Sequence, residues 1–304
     1  MSILWEGVMP AVTTKFTKSD ELDIPNFEIN IRAQIAAGVN GIVLGGTLGE
    51  ASTLTNLEKR TLILKTIELV EGKIPVIINI AEQSTKSAIE AAKNAQEYGA
   101  NGLMLLPPMR YKADAHETVT YFKRVSESTN LPIMIYNNPV DYGIEVTLDM
   151  FAALEECENI QAVKESTRDI SNITRMRNRF GNRFKILCGV DTLALESLIM
   201  GADGWVAGLV CAFPAETVAI YKLAKAGKIK EAIAINSWFL PLLELDINTK
   251  LVQNIKLAEV ATGIGTENVR EPRLPLIGKE RSHVLSIIER SLKTRPILPN
   301  YKNL

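Results

Sequence analysis

Lys164 interrupts the apolar run Ile160-Gln161-Ala162-Val163 at the point where a sheet or barrel strand is expected to end. An amine held there is poorly solvated. Desolvation disfavours the ammonium form, lowers the lysine pKa and supplies the free amine that attacks a carbonyl to form a Schiff base. Alone, such a lysine reads first as a structural residue that buries its stem and keeps its head wet or ion-paired. Its company changes the reading. Ile133-Met134-Ile135 ends in Tyr136 and runs into the turn Asn137-Asn138-Pro139, and Ile42-Val43-Leu44 ends in Gly45-Gly46-Thr47-Leu48-Gly49-Glu50. Polar signatures at the ends of three strands are what a barrel active site requires.

Each signature has a chemical and a structural reading. The glycine-rich turn precedes the capping-box pattern Thr55-Asn56-Leu57-Glu58. Its backbone N–H groups can form a nest that grips a carboxylate, with the Thr47 hydroxyl as donor or proton relay; a plain glycine turn is the alternative. The glycine spacing does not match a dinucleotide fingerprint. Tyr136 alone reads as a structural aromatic, whereas sharing a cavity with Lys164 it can shuttle the protons of carbinolamine formation and dehydration. His116, in the polar loop 112–117, and His283, in a charged C-terminal helix, read as surface residues, so no catalytic metal is expected. Asp191 and Glu165 adjoin strand ends and are expected to be solvated or salt-bridged, and Arg175–Arg183 to be an exposed helix face and loop.

The elements that must carry these residues follow from periodicity. Short β-branched runs at 8–12, 41–44, 76–80, 102–106, 133–136, 160–164, 184–188 and 204–207 alternate with helical spacing such as Ile63, Ile67 and Val70, which argues for parallel βα units. Gly38-Val39-Asn40-Gly41, Gly99-Ala100-Asn101-Gly102 and Gly201-Ala202-Asp203-Gly204 each join a helix to the next strand, the first glycine as a C-cap and the second at the entry to the wall. Pro75 and Pro132 open two strands where a missing donor is tolerated. After about residue 210 the pattern turns helical, at 216–226, 230–243, 251–262 and 280–291. The expected fold is an α/β (β/α)8 TIM barrel over residues 1–225 with a C-terminal helical extension over 226–304, forming one compact unit.

Composition narrows the function classes. The 304 residues are 46% apolar, enough for a full core, and the net charge of -1 offers no basic stripe for nucleic acid or an anionic membrane surface. A small-molecule substrate fits better. Cys157, Cys188 and Cys211 are far apart in apolar surroundings and read as buried thiols in a reducing compartment. No segment approaches the roughly twenty apolar residues of a membrane span, and the N-terminus lacks a basic-then-apolar leader, so a cytoplasmic location is expected.

Gly-Thr-x-Gly-Glu at 46–50, Tyr-Asn-x-Pro at 136–139, Val-Lys-Glu-Ser at 163–166 and Gly-Ala-Asp-Gly at 201–204 resemble, in order and spacing, the dihydrodipicolinate synthase/N-acetylneuraminate lyase superfamily of class I aldolases. The resemblance spans essentially the whole chain. It implies a homotetramer built as a dimer of dimers, no metal and no organic cofactor, with Lys164 as Schiff-base lysine, Tyr136 as proton relay, and Thr47 with neighbouring amides at the 2-oxo-acid carboxylate. Gly46, Leu48, Asp141, Gly189 and Gly208 are expected to complete the substrate surface. Where dihydrodipicolinate synthases carry a second threonine, an arginine and a tyrosine that reaches across the dimer, this chain has Leu48, Asp141 and Arg110. An aspartate cannot bind the carboxylate of an incoming aldehyde. On similarity, 136–143 and Val-Arg-Glu-Pro-Arg-Leu-Pro-Leu at 269–276 look closer to the 1-pyrroline-4-hydroxy-2-carboxylate deaminases of hydroxyproline catabolism. The leading expectation is therefore deamination and dehydration of that cyclic imine carboxylate to 2,5-dioxopentanoate. The alternatives are a pyruvate-dependent aldol lyase or synthase, a non-catalytic small-molecule binder and, least supported, a sugar-phosphate isomerase.

Overall fold

Eight short, mostly apolar and largely buried strands form the centre of the molecule: β1 (Gly7–Pro10), β2 (Ile42–Leu44), β3 (Val76–Ile80), β4 (Gly102–Leu105), β5 (Ile133–Asn137), β6 (Ile160–Glu165), β7 (Lys185–Cys188) and β8 (Gly204–Ala207). Runs without polar alternation are what a sheet covered on both sides demands. The computed structural model describes residues 3–108 and 111–304, so Arg110 lies outside the described residues. All pairings are parallel, in the order β1-β8-β7-β6-β5-β4-β3-β2. The ring closes where Val12 donates to the Val43 carbonyl at 3.0 Å and Ala11 bridges Val43. The fold is a (β/α)8 barrel.

All eight expected strands are present. β1 stops at Pro10, two residues short of expectation, because Ala11 and Val12 turn to different neighbours, Ala207 of β8 and Val43 of β2, at the seam of the barrel. The repeated glycine turns behave as read: Gly38, Gly99 and Gly201 have φ of +91°, +87° and +101°, where a side chain is disfavoured. At the wall, a Cβ on Gly204 would lie 2.6 Å from the Gly7 carbonyl oxygen, so that position admits only glycine.

Beyond β8 the helices Pro214–Lys225, Ile229–Leu243, Leu251–Thr262 and Gly278–Lys293 cover one side and the mouth. The first begins two residues before its expected start because Pro214 fits the first helical turn, where its missing N–H costs nothing. Two fully buried ion pairs, Lys15–Glu259 at 2.9 Å and Lys256–Glu50 at 2.5 Å, join the third helix to the loops that leave β1 and β2. The helical layer is thus fastened to the face of the barrel where the strands end. Within the basic run 175–183, Arg175 and Arg179 are exposed as expected, whereas Arg177 pairs with Asp203, and Arg183 donates to the carbonyls of Glu155, Cys157 and Ile160, satisfying the loop that enters β6. No helix among the described residues is long and apolar enough to cross a membrane.

Candidate active site

Parallel pairing of β5 and β6 sets Tyr136 and Lys164 side by side in register. The Lys164 amine sits 4.2 Å from the centroid of the Tyr136 ring, and the residue is only 8% exposed. The two fully buried lysines that have carboxylate partners are Lys15 and Lys256, not Lys164. Burial pushes its pKa down, against the smaller opposing pull of Tyr142, Asp246 and Asp191. Its stem needs room. A Cβ at Gly189 would come within 2.6 Å of Lys164 Cε and 2.7 Å of Cγ, so glycine at the end of β7 is what lets the lysine lie along the wall.

The Tyr136 hydroxyl accepts from Asn138 Nδ2 at 3.0 Å, and burial pushes its pKa up to about 12. Pro139 starts a single helical turn, Pro139–Tyr142, capped by the Asn138 side chain. That turn delivers Tyr142, whose hydroxyl lies 2.7 Å from Thr47 Oγ and whose ring meets Tyr136 edge-on at 5.5 Å. Two phenols and a threonine hydroxyl therefore share one cavity with the amine, all from one chain.

The glycine-rich turn is pinned from below. Asn79 Nδ2 donates to the Gly45 carbonyl at 2.9 Å, Thr14 Oγ1 to that of Gly49 at 2.7 Å, and Gly45 has φ of +67°. No acceptor within the described residues engages the amides of Thr47 and Leu48. Glu50 points the other way: its buried carboxylate takes Lys256 and the Arg270 amide at 3.0 Å, so the last residue of the motif is an anchor.

Every residue expected at the site lines one cavity of about 390 Å³: Gly46, Thr47, Leu48, Tyr136, Asp141, Lys164, Gly189 and Gly208. A model of the Dihydrodipicolinate synthetase family matches residues 4–291. The chain belongs to that family. It is 32% identical to the 4-hydroxy-tetrahydrodipicolinate synthase of Exiguobacterium sibiricum, over 94% of this chain and 97% of that one. Among solved structures, dihydrodipicolinate synthase from Thermotoga maritima superimposes with a TM-score of 0.89 at 28% identity, covering 94% of this chain and 98% of that one. The chloride-inhibited enzyme from Acinetobacter baumannii, complexed with pyruvate, gives 0.91 at 26% identity over 95% of this chain and 99% of that one.

Against this family background, the carboxyl groups need sorting. Asp141 stands at the mouth, accepting from Asn138 Nδ2 at 2.7 Å with Arg168 3.9 Å away. Asp191 and Glu165 are neither solvated nor salt-bridged, contrary to expectation. Asp191 accepts from Trp205 Nε1 at 2.8 Å and from the amides of Gly208 and Leu209, and Glu165 accepts from the Thr167 amide and Asn172 Nδ2, each at 2.8 Å. Both are buried scaffolding that shapes the β6 and β8 turns. Sequence reasoning missed Tyr142 and Asp246, which also line the cavity. Tyr142 stood inside a recognised motif. Asp246 lies in a short turn, Glu244–Ile247, between two helices and carries no local signal.

Proposed function

We propose that this protein is a Schiff-base aldolase that makes or breaks a carbon–carbon bond at C3 of a 2-oxo acid of the pyruvate type. The observation that carries the reading is the Lys164 amine, desolvated and in no salt bridge among the described residues, held 4.2 Å over a phenol at the end of a barrel strand. Its lone pair attacks C2 of the 2-oxo acid, and the carbonyl oxygen takes up a proton to give the carbinolamine. A second proton lets that oxygen leave as water, and the iminium remains. Tyr136 is the proton carrier, with Tyr142 and Thr47 continuing the chain of hydroxyls toward the mouth. The free amides of Thr47 and Leu48 hold the carboxylate and orient C2 toward the amine. The iminium then accepts the electrons of a C3–H or C3–C4 bond, giving an enamine that adds to an aldehyde or is protonated and hydrolysed to the 2-oxo acid. Curated relatives named as synthases, and a pyruvate complex of one structural neighbour, support carbon–carbon chemistry ahead of the deaminase reading.

The hydroxypyrroline reading is second, favoured by Leu48 and Asp141, which leave neither a second hydroxyl nor a cation at those two wall positions. A product assay separates the two. Incubation of wild-type protein and Lys164→Ala with pyruvate and a panel of aldehydes is expected to consume pyruvate only with the wild type, and the hydroxypyrroline to release no ammonia. Lysine-dependent ammonia release without aldol turnover would reverse the order.

A further inference from the structure

Asp246 reaches the cavity from the C-terminal helical layer, from a turn that no barrel element contributes. Its Oδ1 is buried with no hydrogen-bond partner. The other carboxyl groups around the cavity are engaged: Asp191 by Trp205 and two amides, and Asp141 by Asn138. Gly208 is the reason Asp246 fits, since a Cβ there would stand 2.5 Å from Oδ1. A buried polar atom without a partner in the protein is one that a ligand can satisfy. Asp246 and Lys164 line the same cavity, so Asp246 borders the space into which a 2-oxo acid attached to that amine would extend.

We infer that Asp246 reads the part of the substrate beyond the 2-oxo acid, accepting a hydroxyl donor there and rejecting a carboxylate. The inference rests on the Schiff-base reading above. A hydroxyl satisfies the orphaned oxygen. Burial, together with the charge of Asp191, already holds the Asp246 carboxyl well above the usual carboxylate range, so a substrate carboxylate there would add a third acidic group to a spot that resists the charge it has. Arg168 does not offset this, because it lies at the rim beside Asp141.

Borohydride trapping at Lys164 tests the inference without knowledge of the natural substrate. Three probes are compared: pyruvate, 4-hydroxy-2-oxobutyrate and 2-oxoglutarate. The wild type is expected to reach half-maximal trapping at about tenfold lower concentration with the hydroxylated acid than with 2-oxoglutarate, the scale of one net hydrogen bond. Asp246→Asn and Asp246→Leu also remove a charge that acts on the Lys164 amine, so each protein is normalised to its own pyruvate trapping; on that scale the ratio is expected to fall to within about threefold, Asp246→Asn by relaxing the repulsion and Asp246→Leu by removing the acceptor as well. Retained pyruvate trapping, at whatever rate, certifies that each variant is folded. If pyruvate is trapped but the ratio is the same in all three proteins, or 2-oxoglutarate is preferred by the wild type, the role of Asp246 is overturned. If wild-type protein traps none of the probes, the Schiff-base reading itself fails.

Discussion

Lys164 can lie along the barrel wall only because position 189 has no side chain. Gly189→Ala places a methyl group 2.1 Å from Ser166 Oγ and 2.6 Å from Lys164 Cε, so the lysine stem must move. Overpacking of this kind costs about 1–3 kcal/mol in stability. Displacement of the nucleophile costs more in rate: trapping by pyruvate is expected to fall about a hundredfold, the scale of loss from misplacing a reacting group by an ångström. A stopped-flow or quench series checks it, and wild-type rates in the alanine variant would remove Gly189 from the argument. Lys164 and Tyr136 were legible in the sequence because each interrupts or ends an apolar run, where a polar group is costly without a purpose. Tyr142 and Asp246 were not, because what places them is a one-turn helix and a surface turn whose direction no periodicity encodes.

Strands and helices were legible for a plain reason: a parallel barrel writes its walls as short apolar runs and its joints as glycines. The partner of Glu50 was not. The motif reads as a local nest, yet Glu50 is held by Lys256, more than two hundred positions away, at 2.5 Å. Breaking a buried pair leaves one charge uncompensated, so Glu50→Gln is expected to lower stability by about 3–5 kcal/mol in urea titration at neutral pH. A loss under ~1 kcal/mol would show that the pair does not fasten the turn. Burial, opposed by Glu50, brings the Lys256 pKa down to about 8 from an ordinary 10.5. Between those values the unfolded chain binds the proton and the folded one does not, so this group's contribution to stability rises with pH across that window. Lys256→Met is expected to reduce that rise to the part left by the lowered Lys164 pKa, measured by urea midpoints at pH 8 and pH 10.

At the scale of the whole molecule, the sequence separates a barrel over 1–225 from a helical extension over 226–304, while the contacts tie the two together. Glu259 neutralises Lys15 and Lys256 neutralises Glu50, all four fully buried, and the cavity wall itself includes Asp246 from the extension. A chain cut after residue 225 would strand Lys15 and Glu50 without partners. It is expected to show no cooperative unfolding transition by circular dichroism and no pyruvate adduct. A truncated barrel that melts cooperatively would mean that the extension is a separable cap.

The central claim is that a single uncharged amine does the chemistry. Borohydride reduction in the presence of pyruvate, followed by peptide mapping, tests it directly. One pyruvyl adduct is expected, on the peptide containing Lys164, absent in Lys164→Ala and formed at a rate that levels off before the pH reaches the ordinary lysine range, because burial lowers the pKa of this amine. An adduct on Lys15 or Lys256, or none at all with active protein, would contradict it.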